Sequence, residues 1–524
     1  MSLGGTGDET TPVIVGIGEC REVIPGNLTA ASSLVDMLAR AGTMALDDSN
    51  VQQQLRRRID TVMMTRTFAD SSPMWPSPFG KVRNYPRAVA AKLGIRPQQA
   101  IYSEAGGDVP QRLLSEAADS ICQGKSVATL ILGGEAIATT NSAMRAGVAF
   151  DWTDDTDGQL DDRGLGMSGI QDQAQIDHGL TGAPPVYALF ENARRARLRL
   201  DRSDYATAMG ELFSPFSKVA AKHHCSMSSK CYTAEELLEV SQDNRIIAEP
   251  YTRSLVAKDG VNQAAALIVT SLAVARDIGI DKDKIVFPVA SCALKEKPLL
   301  ARPQLDRSPA MSAAYHAAMD RAGVSLDEID LFDIYSCFPI AVFAVCDALG
   351  LSPEDPRGLT LTGGLPFFGG PGNNYALHSI VNVARELRHR KAGYGLVGAN
   401  GGYLSKHAVG VYSATQPRTP WRHYDDHATQ LVLDQTKARS VDASPHGSAT
   451  IETYTVVMNK GQADTGYVVG VSDAGNRFLA TTDPSDKQTP RDMMTEDPLH
   501  RRIWVTHSPS GNHFRFDKLM RTAR

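Results

Sequence analysis

Tyr335, Ser336 and Cys337 end the buried run LFDIYS and stand immediately ahead of Phe338 and Pro339. A phenol and a thiol at the end of a strand, just before a helix, occupy the place where α/β sheets gather catalytic side chains. The bland use of the same pair is core packing. A second such place is GGLPFFGGPGNN (363–374), with five glycines, two prolines and Asn373–Asn374 in twelve residues. A glycine-rich loop ahead of a helix lets backbone approach a ligand, and a helix N-terminus favours anions. His378 lies one turn into that helix, and His407 follows a third glycine turn, GANGGYLSKH (398–407), which also carries Gly402 and Tyr403. Gly106–Gly107 and Gly133-Gly134-Glu135 are two further turns after buried strands.

Other motifs fail on spacing. Gly16-Ile17-Gly18 opens a dinucleotide fingerprint, but Arg21 takes the third glycine's place. The Asp-rich run 151–162 puts Thr153 and Gly164 at the first and last ligand positions of a calcium loop, which excludes that loop. His223-His224-Cys225 with Cys231 is C-x5-C without a second pair, so no metal is expected. No Cys follows Cys346, so the C-terminal region is no Cys-ligated zinc ribbon. The seven Cys are scattered and odd in number, which suits free thiols in a reducing cytoplasm. A net charge of −5 argues against a nucleic-acid or anionic-membrane partner. No apolar run reaches the ~18 residues of a membrane span, and the first ten residues lack a secretory signal's basic and apolar regions.

These turns need strands and helices to position them. Predicted strands at 12–18, 59–65, 100–103, 127–134 and 264–271 alternate with helices at 29–46, 85–93 and 109–122. The pattern restarts near 285, with strands at 331–336, 395–402 and 409–413 and helices at 311–322, 339–349 and 375–390. Such alternation predicts sheets with parallel strands covered on both faces. A chain of 524 residues exceeds one core. Residues 1–282 form a first half, with an insertion at about 137–250 resting on its sheet, and 283–415 form a second half. The Pro- and Arg-rich stretch 416–426 reads as a linker, and 427–524 as a small all-β barrel or sandwich, its runs including TQLVLD, RFLATT and RIWVTHS. On this division 1–419 folds without the β unit.

In order and spacing, VATLILGGEAI, NRIIAEPYTRSLVAKDGVNQAAALIVTS, IDLFDIYSCFPIAV, GGLPFFGGPGNN and VGANGGYLSKH resemble a thiolase, of the sterol-carrier-protein-2 branch and its thiolase-like relatives, over about 12–415. The resemblance implies an α/β, five-layer αβαβα fold of two repeated halves, here with an appended C-terminal all-β domain. It implies a protein of acyl-CoA and lipid metabolism in the acetyl-CoA acetyltransferase family. It also shows departures. Ser103–Gln111 carries no Cys where a thiolase has its nucleophile, Gly370 stands in place of the loop His, and Ala399 in place of the second Cys. Losing a nucleophile costs on the order of 10⁶ in turnover, so ordinary thiolysis is not expected. What survives is binding of CoA thioesters, with CoA part of the substrate and no cofactor required. Gly107, Cys337, Phe338, Gly370, Asn373 and Gly402 would line the acyl site, roomier for the missing His. A second reading is a thiolase-like aldolase that cleaves β-hydroxyacyl-CoA with Tyr335 or Tyr403, His378 or His407 being further candidates for a base. A third is a non-catalytic binding or scaffolding module that recruits a partner through its β domain. Resemblance suggests a homodimer, and a monomer stays open.

Overall fold

The computed structural model describes residues 9–71, 76–166 and 171–516, so the last eight residues assigned to the β unit fall outside it. The first sheet runs β1 (Pro12–Arg21), β8 (Asn262–Ser271), β4 (Ala128–Ala136), β2 (Ile59–Met64), β3 (Gln99–Tyr102) and β5 (Asp161–Asp162). The second runs β10 (Ile329–Ile334), β11 (Tyr394–Gly401), β12 (Lys406–Ser413) and β9 (Phe287–Lys295). Both are mixed rather than parallel throughout: β4, β2, β3 and β5 are parallel, as are β10 and β11, and the other pairs are antiparallel.

Five layers result. On the outer face of the first sheet lie α1 (Leu34–Asp48), which starts at a Ser33–Asp36 capping box rather than at Thr29, and α2 (Tyr85–Leu93). Between the sheets lie α3 (Val109–Cys122) and α8 (Tyr375–Arg390). Leu113, Leu114, Leu377 and Ile380 form one core with Ile131 and Leu267 of the first sheet and Leu331 and Val397 of the second. Beyond the second sheet lie α6 (Pro309–Ala322) and α7 (Pro339–Leu349). Middle-layer helices must be apolar on two faces, and α8 accordingly buries every residue from Tyr375 to Ala384.

The insertion rests on the first sheet only through its early part, where β5 joins the sheet edge and Trp152 and Leu160 pack on its core. Its helices α4 (Ala183–Leu198) and α5 (Arg202–Ala220) bring Tyr187, Phe190, Phe213 and Phe216 into a core with Phe338, Phe343 and Val411 of the second half. Ten consecutive residues of α4, Val186–Arg195, are buried, more than one face of a helix offers to a single sheet.

The C-terminal unit is a closed five-stranded barrel. The ring is β13 (Gly447–Asn459), β14 (Gln462–Ser472), β15 (Arg477–Thr482), β17 (Gly511–Phe516), β16 (Arg502–Ser508) and back to β13. It is not all-β. TQLVLD is part of helix α9 (His427–Gln435), and α10 (Gln488–Thr495) packs on the barrel. The alternating pattern of TQLVLD misleads because α9 buries none of its residues. Its side chains instead serve the open edge of β9. Asp426 accepts from the Ala293 N–H at 2.8 Å, and Gln430 holds both the N–H and the carbonyl of Lys295 at 2.8 and 3.0 Å.

Nor is 416–426 a free tether: Trp421 is buried and its indole N–H donates to Asp119 at 2.8 Å. The barrel extends into the insertion through β6 (Ile246–Ala248), which pairs with β13 at Val457, and β7 (Tyr251–Thr252). Tyr467, Val469 and Leu479 share the core of Tyr187 and Phe190. Arg477, fully buried, pairs with Glu452 at 2.7 Å and donates to the Leu300 carbonyl at 3.0 Å. An independent 1–419 would leave all of these surfaces bare.

Candidate functional site

Four of the turns singled out in the sequence meet between the sheets. The Gly106–Gly107 turn leads into α3, and a Cβ at 107 would stand 2.5 Å from the Tyr335 hydroxyl oxygen and collide with the Asn400 carbonyl. Only glycine lets these chains approach so closely. The Gly106 N–H donates to Asn373 Oδ1 at 2.9 Å, and Asn373 Nδ2 donates to the Arg66 carbonyl at 2.7 Å, which ties the glycine-rich loop to the turn. Cys337 Sγ lies 3.8 Å from Asn400 Nδ2, and Phe338 stacks on Tyr187 with centroids 4.4 Å apart.

Two residues that sequence reasoning did not select dominate this chamber. Tyr187 Oη accepts from Asn400 Nδ2 at 2.8 Å and from the Leu404 N–H at 3.1 Å, and donates to the Gly402 carbonyl at 3.2 Å. The other is Asp108, which precedes the first turn of α3, is 1 % exposed and faces Gly401, where a Cβ would strike its Oδ1. That oxygen and Asn400 Oδ1 have no hydrogen-bond partner among the described residues. Burial pushes the Asp108 carboxyl above its usual range, against the charges of Arg112 and Lys406. Arg112 Nη1 is 3.5 Å from Asp108 Oδ2 and also pairs with Glu104. Arg112 lines an open cleft of about 460 Å³ with Glu104, Val109, Trp421 and Tyr424. The sequence signal was the Gly-Gly-Asp-x-Pro turn itself, read for its lack of Cys and not for its acid.

The remaining candidates fall elsewhere or lose the chemistry assigned to them. Burial raises Tyr335 well above the usual phenol range, helped by Cys337, Tyr375 and Asp108, so it is no base near neutrality. Cys337 is likewise pushed up to about 12 by burial. Tyr403 turns to the insertion, where its Oη accepts from Gln171 Nε2 and the Gly182 N–H, both at 3.2 Å. His378 is fully buried with Nδ1 2.8 Å from Glu19 Oε2. His407 bonds Ser308 Oγ at 3.1 Å and is held near 3 by burial and by Arg302, a neutral core imidazole. Gly370 does not widen the chamber, because Leu365 fills the space: a Cβ at 370 would meet Leu365 Cδ2 at 3.1 Å. Gly133, Gly134 and Glu135 form no turn after a strand but belong to β4 itself, where Glu135 accepts from the Phe68 N–H at 2.7 Å beside Gly372. Burial, with Asp259 and Asp70 nearby, raises it to about 8.

Comparison with known proteins follows the geometry. A family model, the thiolase-like protein type 1 additional C-terminal domain, matches residues 429–509. The crystal structure of a monomeric SCP2-thiolase-like protein type 1 from Mycobacterium smegmatis is 38 % identical. It covers 97 % of this chain and 100 % of its own, with a TM-score of 0.83. An Ltp2–ChsH2(DUF35) aldolase (16 % identity, 78 % of this chain and 99 % of that one, TM-score 0.56) and human mitochondrial 3-ketoacyl-CoA thiolase (17 %, 78 % and 99 %, TM-score 0.54) share the fold. No curated protein matches the chain. Among the described residues no helix is long and apolar enough to cross a membrane.

Proposed function

Because this chain belongs to the family of SCP2-thiolase-like proteins type 1, we propose that it binds CoA thioesters and acts on them by proton transfer and not through an acyl-enzyme. The observation that carries this reading is Asp108, a buried carboxyl with an unpartnered oxygen at the start of α3. By the thiolase resemblance, this is where the nucleophilic Cys would stand. A carboxyl whose proton affinity burial raises is suited to give up or take a proton. It is a poor stand-in for a thiolate, because a carboxylate is the weaker nucleophile and the mixed anhydride it would form on expelling CoA lies uphill of the thioester. Asn400 offers its amide next to the same chamber, and Arg112 links Asp108 to the cleft through which a substrate could reach it.

A second reading, cleavage of a carbon–carbon bond in a β-hydroxyacyl-CoA, draws support from the same carboxyl. There Asp108 rather than Tyr335 or Tyr403 would exchange the hydroxyl proton, since both phenols are raised.

Calorimetric titration of the full chain with CoA and with a long-chain acyl-CoA, beside an acetoacetyl-CoA thiolysis assay, tests the proposal. Expected are binding of the acyl-CoA and thiolysis at least ~10³-fold below an ordinary thiolase. Asp108→Asn should retain binding while abolishing any lyase turnover. Absence of acyl-CoA binding, or thiolysis within tenfold of a thiolase, overturns it.

A further inference from the structure

A separate cluster lies where the His-His-Cys motif meets the first strand. His224 and Cys225 follow the end of α5, and Glu19 projects from β1. The ligand-capable atoms of Glu19, His224 and Cys225 all lie within 4.8 Å of one another, and His224 Nε2 is 3.8 Å from Glu19 Oε1. Cys231, the partner that sequence spacing would test, is exposed and outside the group. An outer ring of side chains already orients Glu19 and the Cys225 segment, while His224 stacks on His223. His378 Nδ1 is 2.8 Å from Glu19 Oε2. Asn382 Oδ1 is 2.8 Å from His223 Nε2, and His223 Nδ1 accepts from the Cys225 N–H at 3.1 Å. Such hydrogen bonds behind the ligands are the usual support of a metal centre.

We propose that Glu19, His224 and Cys225 bind a divalent cation of the zinc class. Sulfur, imidazole and carboxylate together form the donor set that zinc and cobalt(II) prefer over calcium or magnesium. Metal–ligand bonds of about 2.0–2.3 Å place tetrahedral neighbours roughly 3.3–3.7 Å apart. The 3.8 Å pair is already close to that separation. The wider pairs close by up to about 1 Å, through the exposed His224 side chain where it is a partner and through rotation of the Glu19 and Cys225 side chains where it is not. Arg385 Nη1 now sits 2.7 Å from Glu19 Oε1 with 43 % of its side chain exposed. It supplies the counter-charge until the cation arrives, and then moves to solvent. The thiol proton of Cys225 is released to solvent as the sulfur–metal bond forms. Three protein ligands leave the fourth position to water or an outside donor. Gln263 Nε2 joins the Cys225 carbonyl at 2.7 Å to the Phe368 carbonyl at 2.8 Å. Occupancy would therefore tie the end of α5 to β1, beside the bridge that Gln263 already makes to the glycine-rich loop.

The full chain, stripped with chelator and titrated with cobalt(II), tests this. One equivalent should bind with a thiolate-to-cobalt charge-transfer band in the near ultraviolet, displaced by zinc. Cys225→Ser should abolish the band and weaken binding by more than ~100-fold, beyond the loss expected of an outer-ring change. Cys231→Ser should leave both unchanged. His224→Ala, at an exposed side chain, should weaken binding at least tenfold without altering the melting curve. Arg385→Gln should tighten binding, because a competing cation is gone. No stoichiometric band, a band that survives Cys225→Ser, or weaker binding in Arg385→Gln overturns the proposal.

Discussion

Two acids carry the residue-scale argument. Asp108 was within the quoted turn yet unread, because its burial depends on Gly401, nearly three hundred positions away. Glu135 was read only as the end of a glycine turn, and its proton affinity comes from burial against Gly372 with Asp70 and Asp259 nearby. The folded state holds the Glu135 proton up to about pH 8, whereas the unfolded chain releases it near 4.5. Between those values the native state binds more protons, so stability falls as pH rises. The limiting slope is about 1.4 kcal/mol per pH unit for one such group. Glu135→Gln keeps an acceptor for the Phe68 N–H and has nothing to titrate. Denaturant midpoints at pH 5.5 and pH 8 should therefore converge in the variant relative to wild type. An unchanged difference would mean that Glu135 is ionised in the native protein. Tyr335 and His378 make the complementary point: strand-end position places Tyr335 beside Gly107 and Asn400, while His378, on α8, faces Glu19.

At the scale of elements, helices α2, α3 and α7 agree with their predicted bounds, because each combines apolar residues with a Pro in its first turn, and α8 agrees on its apolar periodicity alone. Elements without such a signal were not legible. β5 is two exposed aspartates recruited by backbone pairing with β3, and β17 is short and polar on one side. Helix α9 is held by edge hydrogen bonds and by Leu433 alone on the core, which leaves little apolar periodicity to read. Those bonds make a prediction. Asp426→Ala with Gln430→Ala frees the backbone groups of Ala293 and Lys295 on β9. Each lost bond costs about 0.5–1.5 kcal/mol, and an unblocked edge invites pairing with another chain. Light scattering should show concentration-dependent association absent from wild type. An unchanged assembly state after unfolding and refolding would assign the edge's protection to some other element.

For the whole molecule, the five layers and the appended unit follow from the sequence, but the way the parts are joined does not. The barrel's outer residues Tyr467, Val469 and Leu479 belong to the same core as the insertion, and Arg195 reaches Asp497 at 2.7 Å. Deleting 427–524 should therefore yield an aggregating chain without a cooperative melt, measured by calorimetry and gel filtration. A soluble 1–426 with a sharp transition would show the barrel to be an independent passenger. The pairing of β6 with β13 has a further consequence in time. Ala248 leaves the ribosome about two hundred residues before Val457 exists to bond it. At ~5–20 residues per second that wait is on the order of 10–40 s. Through it the nascent insertion holds an open strand edge and bare aromatic side chains, which makes this protein a natural client for chaperones acting during synthesis, and ties its yield in a cell to translation speed.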